Sequence, residues 1–108
     1  MIFRCFAVGD YWFKCSVHDF ATQFSDLDPQ KGHAYVYSYE YRYSANPWPD
    51  WMGALHGYEI EIAFGLPIDL SLNYSAEDRA VSENVMEYFT SFAKTGYFTF
   101  TRIMPFHL

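Results

Sequence analysis

The sequence predicts an α/β chain that is incomplete as a free-standing domain. Three observations carry that expectation. Two segments repeat apolar residues at helical spacing, and one alternates with the period of a strand. The whole chain offers only one or two strands, and a two-stranded sheet is marginal in water without further strands or a covering helix. The expected inventory is two main helices and one or two strands that belong to a larger sheet.

The first helix is expected over residues 10–24. Asp10 suits the N-cap, and Phe13, Val17, Phe20, Ala21 and Phe24 recur at i, i+4, i+7, i+8 and i+11. The run SDLDPQKG, residues 25–32, combines acidic residues with Pro29 and Gly32 and reads as a loop. Residues 34–43, AYVYSYEYRY, alternate strictly. Tyr35, Tyr37, Tyr39, Tyr41 and Tyr43 share one face, and Val36, Ser38, Glu40 and Arg42 share the other. Asn46, Pro47 and Pro49 end that strand. Residues 56–64 admit two readings. Ile60, Ile62 and Phe64 alternate as in a strand, whereas Ile60, Ala63 and Phe64 suit a short helix; Gly65 and Pro67 stop either one. The second long helix spans 75–95, with Ser75 and Asp78 as a capping box and Val81, Val85, Tyr88, Phe89 and Phe92 on its apolar face. Gly96 fits the C′ position, and the apolar tail YFTFTRIMPFHL reads as a short strand.

Composition bounds the function. At 108 residues the chain has the size of one small domain, and at 51% hydrophobic it is no disordered tail. Ten tyrosines and eleven phenylalanines exceed what so small a core hides, so part of that surface is expected to face other protein. No apolar run reaches the roughly 18 to 20 residues of a membrane span. The opening MIFRCFAVGD is broken by Gly9 and Asp10 too early for a signal peptide. A net charge of −6 without a basic stripe argues against nucleic acid and is compatible with drawing in a cation. Cys5 and Cys15 fit neither zinc nor CxxC spacing, and composition favours two unpaired thiols.

The chemistry concentrates in WPDWMGALHGYEIEIAFGLP, residues 48–67. His56 stands there between Gly53 and Gly57, behind Trp48 and Trp51 and ahead of an acidic, aromatic turn. Such a setting presents an imidazole to a pocket. His18 lies on a polar helical face, His33 opens the tyrosine strand and His107 sits in the tail, all read as structural. With no HExxH spacing and no carboxylate cluster, neither a metal nor a cofactor is expected.

WPDWMG followed by HGYEIE, behind the YEYRYSA run, resembles the histidine segment of cholinesterases, within the type-B carboxylesterases. The resemblance runs from about Gly9 to Gly96. It implies a C-terminal piece of an α/β-hydrolase fold: residues 1–9 a divergent head, 10–96 a partial type-B carboxylesterase domain, 97–108 a divergent tail. The parent activity it implies is serine-triad hydrolysis of choline esters such as acetylcholine. His56 would be the triad's base and acid, Trp48 and Tyr58 would wall the choline pocket, and Glu59 would lie beside it. Trp51 and Met52 read as loop packing. Carboxylesterases at large more often carry Asp where this chain has Tyr58, which favours the choline-ester branch. The resemblance further implies glycosylation in the sequon Asn73-Tyr74-Ser75 and a disulfide from Cys15 to a partner downstream of this chain. It places the parent outside the cell or on its surface, with any membrane association through a region not in this sequence.

Three elements of that family are missing from the 108 residues: a GxSxG nucleophile elbow, a glycine-rich oxyanion segment and the triad acid. The chain alone is therefore expected to be inactive. Two other readings stand beside the esterase one: a non-catalytic adhesion or binding relative, and a free-standing small α/β binding module.

Overall fold

The apolar spacing of the first segment does produce a helix, but one that starts earlier and ends later than expected. In the computed structural model, which describes residues 7–27 and 33–97, residues 7–9 are already helical. A π-helical stretch, Asp10–Lys14, follows and runs into α1, Cys15–Leu27. Asp10 is not an N-cap. A cap needs non-helical backbone, whereas Gly9 ahead of it is right-handed helical and the Cys15 N–H donates to the Asp10 carbonyl. The Asp10 carboxylate instead pairs with Lys14 at 3.1 Å, one turn on. Ser25, Asp26 and Leu27 belong to α1, so the loop expected from residue 25 begins later; residues 28–32 lie outside the described set, as do 1–6 with Cys5 and the tail from 98 with His107.

Two units divide after Tyr37. In the first, α1 buries none of its residues. Phe20 is 71% exposed and stacks on Phe24 with ring centroids 6.3 Å apart.

The second unit has a small core of Tyr43, Ile62, Val81 and Val85, flanked by Tyr39, Tyr41, Tyr58, Ala63 and Tyr74. Its elements are a 3-10 turn Asp50–Met52, a short helix α2, Glu59–Ala63, a second 3-10 turn Leu66–Ile68, and the long α3, Ala76–Thr95. The ambiguity at 56–64 resolves as helix. Alternation would put Ile60, Ile62 and Phe64 on one face, yet Ile62 is fully buried while Ile60 is 55% and Phe64 85% exposed. Gly65 ends α2 with φ +78°, its N–H donating to Ile62 O at 3.2 Å. A Cβ at Gly65 would meet Met86 Sδ at 2.8 Å, the far end of a flexible side chain, so it is the positive φ that calls for glycine.

Helix α3 forms as its caps dictate. Ser75 Oγ accepts from the Asp78 N–H at 3.1 Å, and the Asp78 carboxylate accepts from the Ser75 N–H at 2.8 Å. At the far end Gly96 is left-handed and donates to Phe92 O. Val81 and Val85 face α2, and Ser82 Oγ donates to Ile62 O at 2.6 Å, fastening the two helices together. Burial of each such aliphatic side chain stabilises by about 1.5–3 kcal/mol.

The tyrosine segment departs from expectation. The described residues contain no β-strand. A strand exists only through a backbone ladder to a neighbouring strand, and among the described residues 33–43 form no such ladder. Periodicity there still decides packing in the second unit: Tyr39, Tyr41 and Tyr43 of the shared face all lie on its core.

Candidate functional site

The site is a loop that leaves the core at Tyr43 and returns at Tyr58. Asp78 holds its first residue: the carboxylate accepts from the Ser44 N–H at 3.0 Å, from Ser44 Oγ and from Tyr41 Oη at 2.7 Å. Asn46 turns the chain, donating its N–H to Tyr43 O at 3.2 Å and accepting the Trp48 N–H on Oδ1 at 3.0 Å. Arg42 staples the same stretch from behind. One guanidinium nitrogen donates to Asn46 O at 3.2 Å and to Trp48 O at 2.5 Å, and it pairs with Asp50 at 3.0 Å. Since the Asp50 side chain is 94% exposed, the carbonyl bonds rather than the ion pair hold the loop.

Beyond the 3-10 turn the backbone bends twice at glycine, with φ +61° at Gly53 and +86° at Gly57. The turn Leu55–Tyr58 closes through the Tyr58 N–H to Leu55 O at 3.2 Å and carries His56 on the surface. Tyr58 follows, half-buried, and Glu59 opens α2, where an acidic side chain suits a helix N-terminus.

Two of the expected pocket residues meet. Trp48 Nε1 donates to Tyr58 Oη at 2.5 Å, across ten residues of sequence. Each ring thereby satisfies the polar atom of the other, and Trp48 remains 49% exposed. Tyr58 stacks on buried Tyr43, centroids 5.6 Å apart and planes 24° from parallel. Trp51, read from sequence as loop packing, is 59% exposed and lies outside the core.

Behind the rings lies an acidic, phenolic layer. Glu61 Oε2 accepts from Tyr74 Oη at 2.5 Å, and the Tyr74 ring meets that of Tyr43. Burial first, then the Glu61 carboxylate, pushes Tyr74 up to about 12 and raises Tyr43 still further. Burial and nearby carboxylates likewise raise Tyr39, and burial with the Asp78 hydrogen bond raises Tyr41. Asp78 goes the other way. Burial would raise it, but the donors from Ser44, Ser75 and Tyr41 outweigh that and hold it at about 2.

Sequence reasoning passed over Arg42, Asn46 and Glu61, and saw in Asp78 only a cap. Nothing in their spacing signals a shared role, since Ser44 and Asp78 are 34 positions apart. Cys15 is exposed at the start of α1, and Asn73 is exposed just before α3. Among the described residues no group of three or more His, Cys, Asp or Glu is placed to hold a metal, and no helix is long and apolar enough to cross a membrane.

The model of the carboxylesterase family matches residues 6–100. The chain belongs to the carboxylesterase family. Over 90 residues this carboxylesterase-family chain is 40% identical to a protein of Mus musculus named cholinesterase, a match covering 83% of the chain and 14% of that relative. The chain thus spans 14% of the length of the curated relative it matches. Membership implies an α/β-hydrolase fold, of which the described residues show helices and no strand.

Proposed function

We propose that this chain is the histidine-bearing piece of a cholinesterase-like carboxylic ester hydrolase, and that it is inactive alone. The observation that carries the reading is the Trp48–Tyr58 clasp on the loop that presents His56. In the parent enzyme His56 Nε2 takes the proton of a serine hydroxyl as that oxygen attacks the ester carbonyl. It returns the proton to the departing choline oxygen, and the cycle repeats with water. Trp48 and Tyr58 receive the quaternary ammonium. Trp48 is 49% exposed, so its ring can take the cation, and each such contact is worth about 0.5–2 kcal/mol. Glu59 lies beside that pocket, and the acidic balance of the chain favours approach of a cation.

Catalysis needs a serine and an acid that the 108 residues do not supply in a GxSxG setting. Triad members act as a unit, so His56 by itself does little more than free imidazole. The same reading assigns residues 10–96 to the esterase domain, with 1–9 and 97–108 as divergent ends. It makes the parent a secreted or surface glycoprotein modified at Asn73, with Cys15 bridged to a cysteine outside this sequence. Exposure of both residues is compatible with those roles.

Sequencing the complete transcript that encodes residues 10–95 tests the proposal. An open frame that continues upstream through a GxSxG serine supports it. A frame bearing another residue at the nucleophile position overturns it in favour of a non-catalytic, adhesion-type relative.

A further inference from the structure

Tyr43 belongs at once to the core and to the wall of the site. It is 3% exposed, among the most buried aromatic side chains described. One face stacks on Tyr58 at 5.6 Å, and its ring meets Tyr74 at 5.6 Å with planes 56° apart. The Tyr74 hydroxyl in turn donates to the Glu61 carboxylate at 2.5 Å. Glu61 sits on α2, next to fully buried Ile62, whose carbonyl is fastened to α3 by Ser82. On the outer side Tyr58 takes the hydrogen bond of the half-exposed Trp48 indole. A continuous chain of contacts thus runs from the helix pair through Glu61, Tyr74, Tyr43 and Tyr58 to Trp48.

The two outer rings have little else to fix their planes. Trp48 stands on a loop whose backbone is held but whose side chain is half in water. The Leu55–Tyr58 turn sets where Tyr58 starts, and a tyrosine ring still has two torsions to choose. The stack on a buried ring removes that freedom, and aromatic pairs of this geometry are favourable beyond the area they bury. We infer that Tyr43 is a positioning residue that sets the ring plane of Tyr58 and through it the indole of Trp48, so that the pair is preformed for a quaternary ammonium group. The positioning stands on the geometry; the ammonium ligand rests on the function proposed above.

The test uses the full chain at submicromolar concentration with Trp12→Phe and Trp51→Phe, leaving Trp48 as the sole indole, excited beyond the tyrosine absorption band. Acrylamide quenching and anisotropy read how firmly the indole is held. With a net hydrogen bond of ordinary strength at stake, Tyr43→Leu is expected to raise the quenching constant about twofold and to lower the anisotropy. Tyr43→Phe, which keeps the stack, restores both, while far-UV helicity stays the same in all three proteins. A purely space-filling role predicts that Leu and Phe behave alike, and that result overturns the inference. Unchanged quenching and anisotropy in Tyr43→Leu overturn it as well. If Tyr43→Leu does not fold, Tyr43→Met, which fills the same space without a ring to stack on, is read the same way, and an indole held as in the unsubstituted protein overturns it equally. Titration with tetramethylammonium separates the two layers: no response from the starting protein removes the ammonium pocket of the proposed function, while a Tyr43-dependent indole sustains the positioning.

Discussion

Asp78 shows how much one side chain decides here. It is fully buried yet ionised, because Tyr41, both polar groups of Ser44 and the Ser75 N–H donate to it. Its carboxyl falls from 3.8 to about 2 on folding. A depressed carboxylate gives stability that is present above its ordinary value and is lost as pH falls through the folded one, between about 4 and about 2. The amount is on the order of 2 kcal/mol. Urea unfolding at pH 5 and at pH 2 should show that loss, and Asp78→Ala should remove about 2–3 kcal/mol at pH 5 while flattening the difference. The tyrosines act at the other end of the scale. Tyr39, Tyr41, Tyr43 and Tyr74 are all raised, Tyr74 to about 12, by burial before anything else. A raised phenol stabilises fully below its ordinary value of 10.0 and ceases to do so as pH climbs through the folded value. Unfolding should therefore set in above pH 10, with a late, steep rise in tyrosinate absorbance; a gradual rise without loss of helicity would contradict this. Gly57, at φ +86° in the turn that presents His56, has open space where a methyl group would stand, so Gly57→Ala should cost about 1–2 kcal/mol by backbone strain alone.

At the scale of elements, α3 was legible from sequence because its signals are local. Ser75, Asp78 and Gly96 act within one turn of themselves, and Val81 and Val85 mark the buried face. Ser75→Ala should lower thermal stability by about 1 kcal/mol, measured as a shift in the melting temperature. The choice between strand and helix at 56–64 was not legible, because a run that short fits both periods and only burial of Ile62 without Ile60 decides it. Asp10 read as a cap for a related reason: its residue type is right, but the helix had already begun upstream. The tyrosine alternation is real and yet forms no strand in the described residues, since pairing is a property of neighbours rather than of the segment. In the candidate site, His56, Trp48 and Tyr58 were singled out through a local motif. Arg42, Asn46 and Glu61 were not, because their work is done through backbone carbonyls and phenols that only folding brings near.

For the whole molecule, exposed apolar surface is the dominant feature. Trp12, Phe13, Val17, Phe20, Phe24 and Leu27 are all more than half exposed on one helical segment. Contiguous apolar surface of this kind marks contact with other protein or drives association. The isolated chain should scatter light increasingly with concentration above the micromolar range, and Phe20→Lys with Phe24→Lys should suppress the scattering without loss of helicity. Such a surface is what the function proposed above, a histidine-bearing piece of a larger esterase, calls for, and the chain spans 14% of the length of the relative it matches.

The most direct test of that claim is hydrolysis of a thiocholine ester, measured for the 108-residue chain and for the longest natural polypeptide that contains residues 10–95. The account predicts no turnover above free imidazole for the short chain. The long one should show organophosphate-sensitive turnover that His56→Ala lowers by more than about a thousandfold. Enzyme-like turnover by the short chain, or a long chain whose activity survives His56→Ala within tenfold, would contradict it.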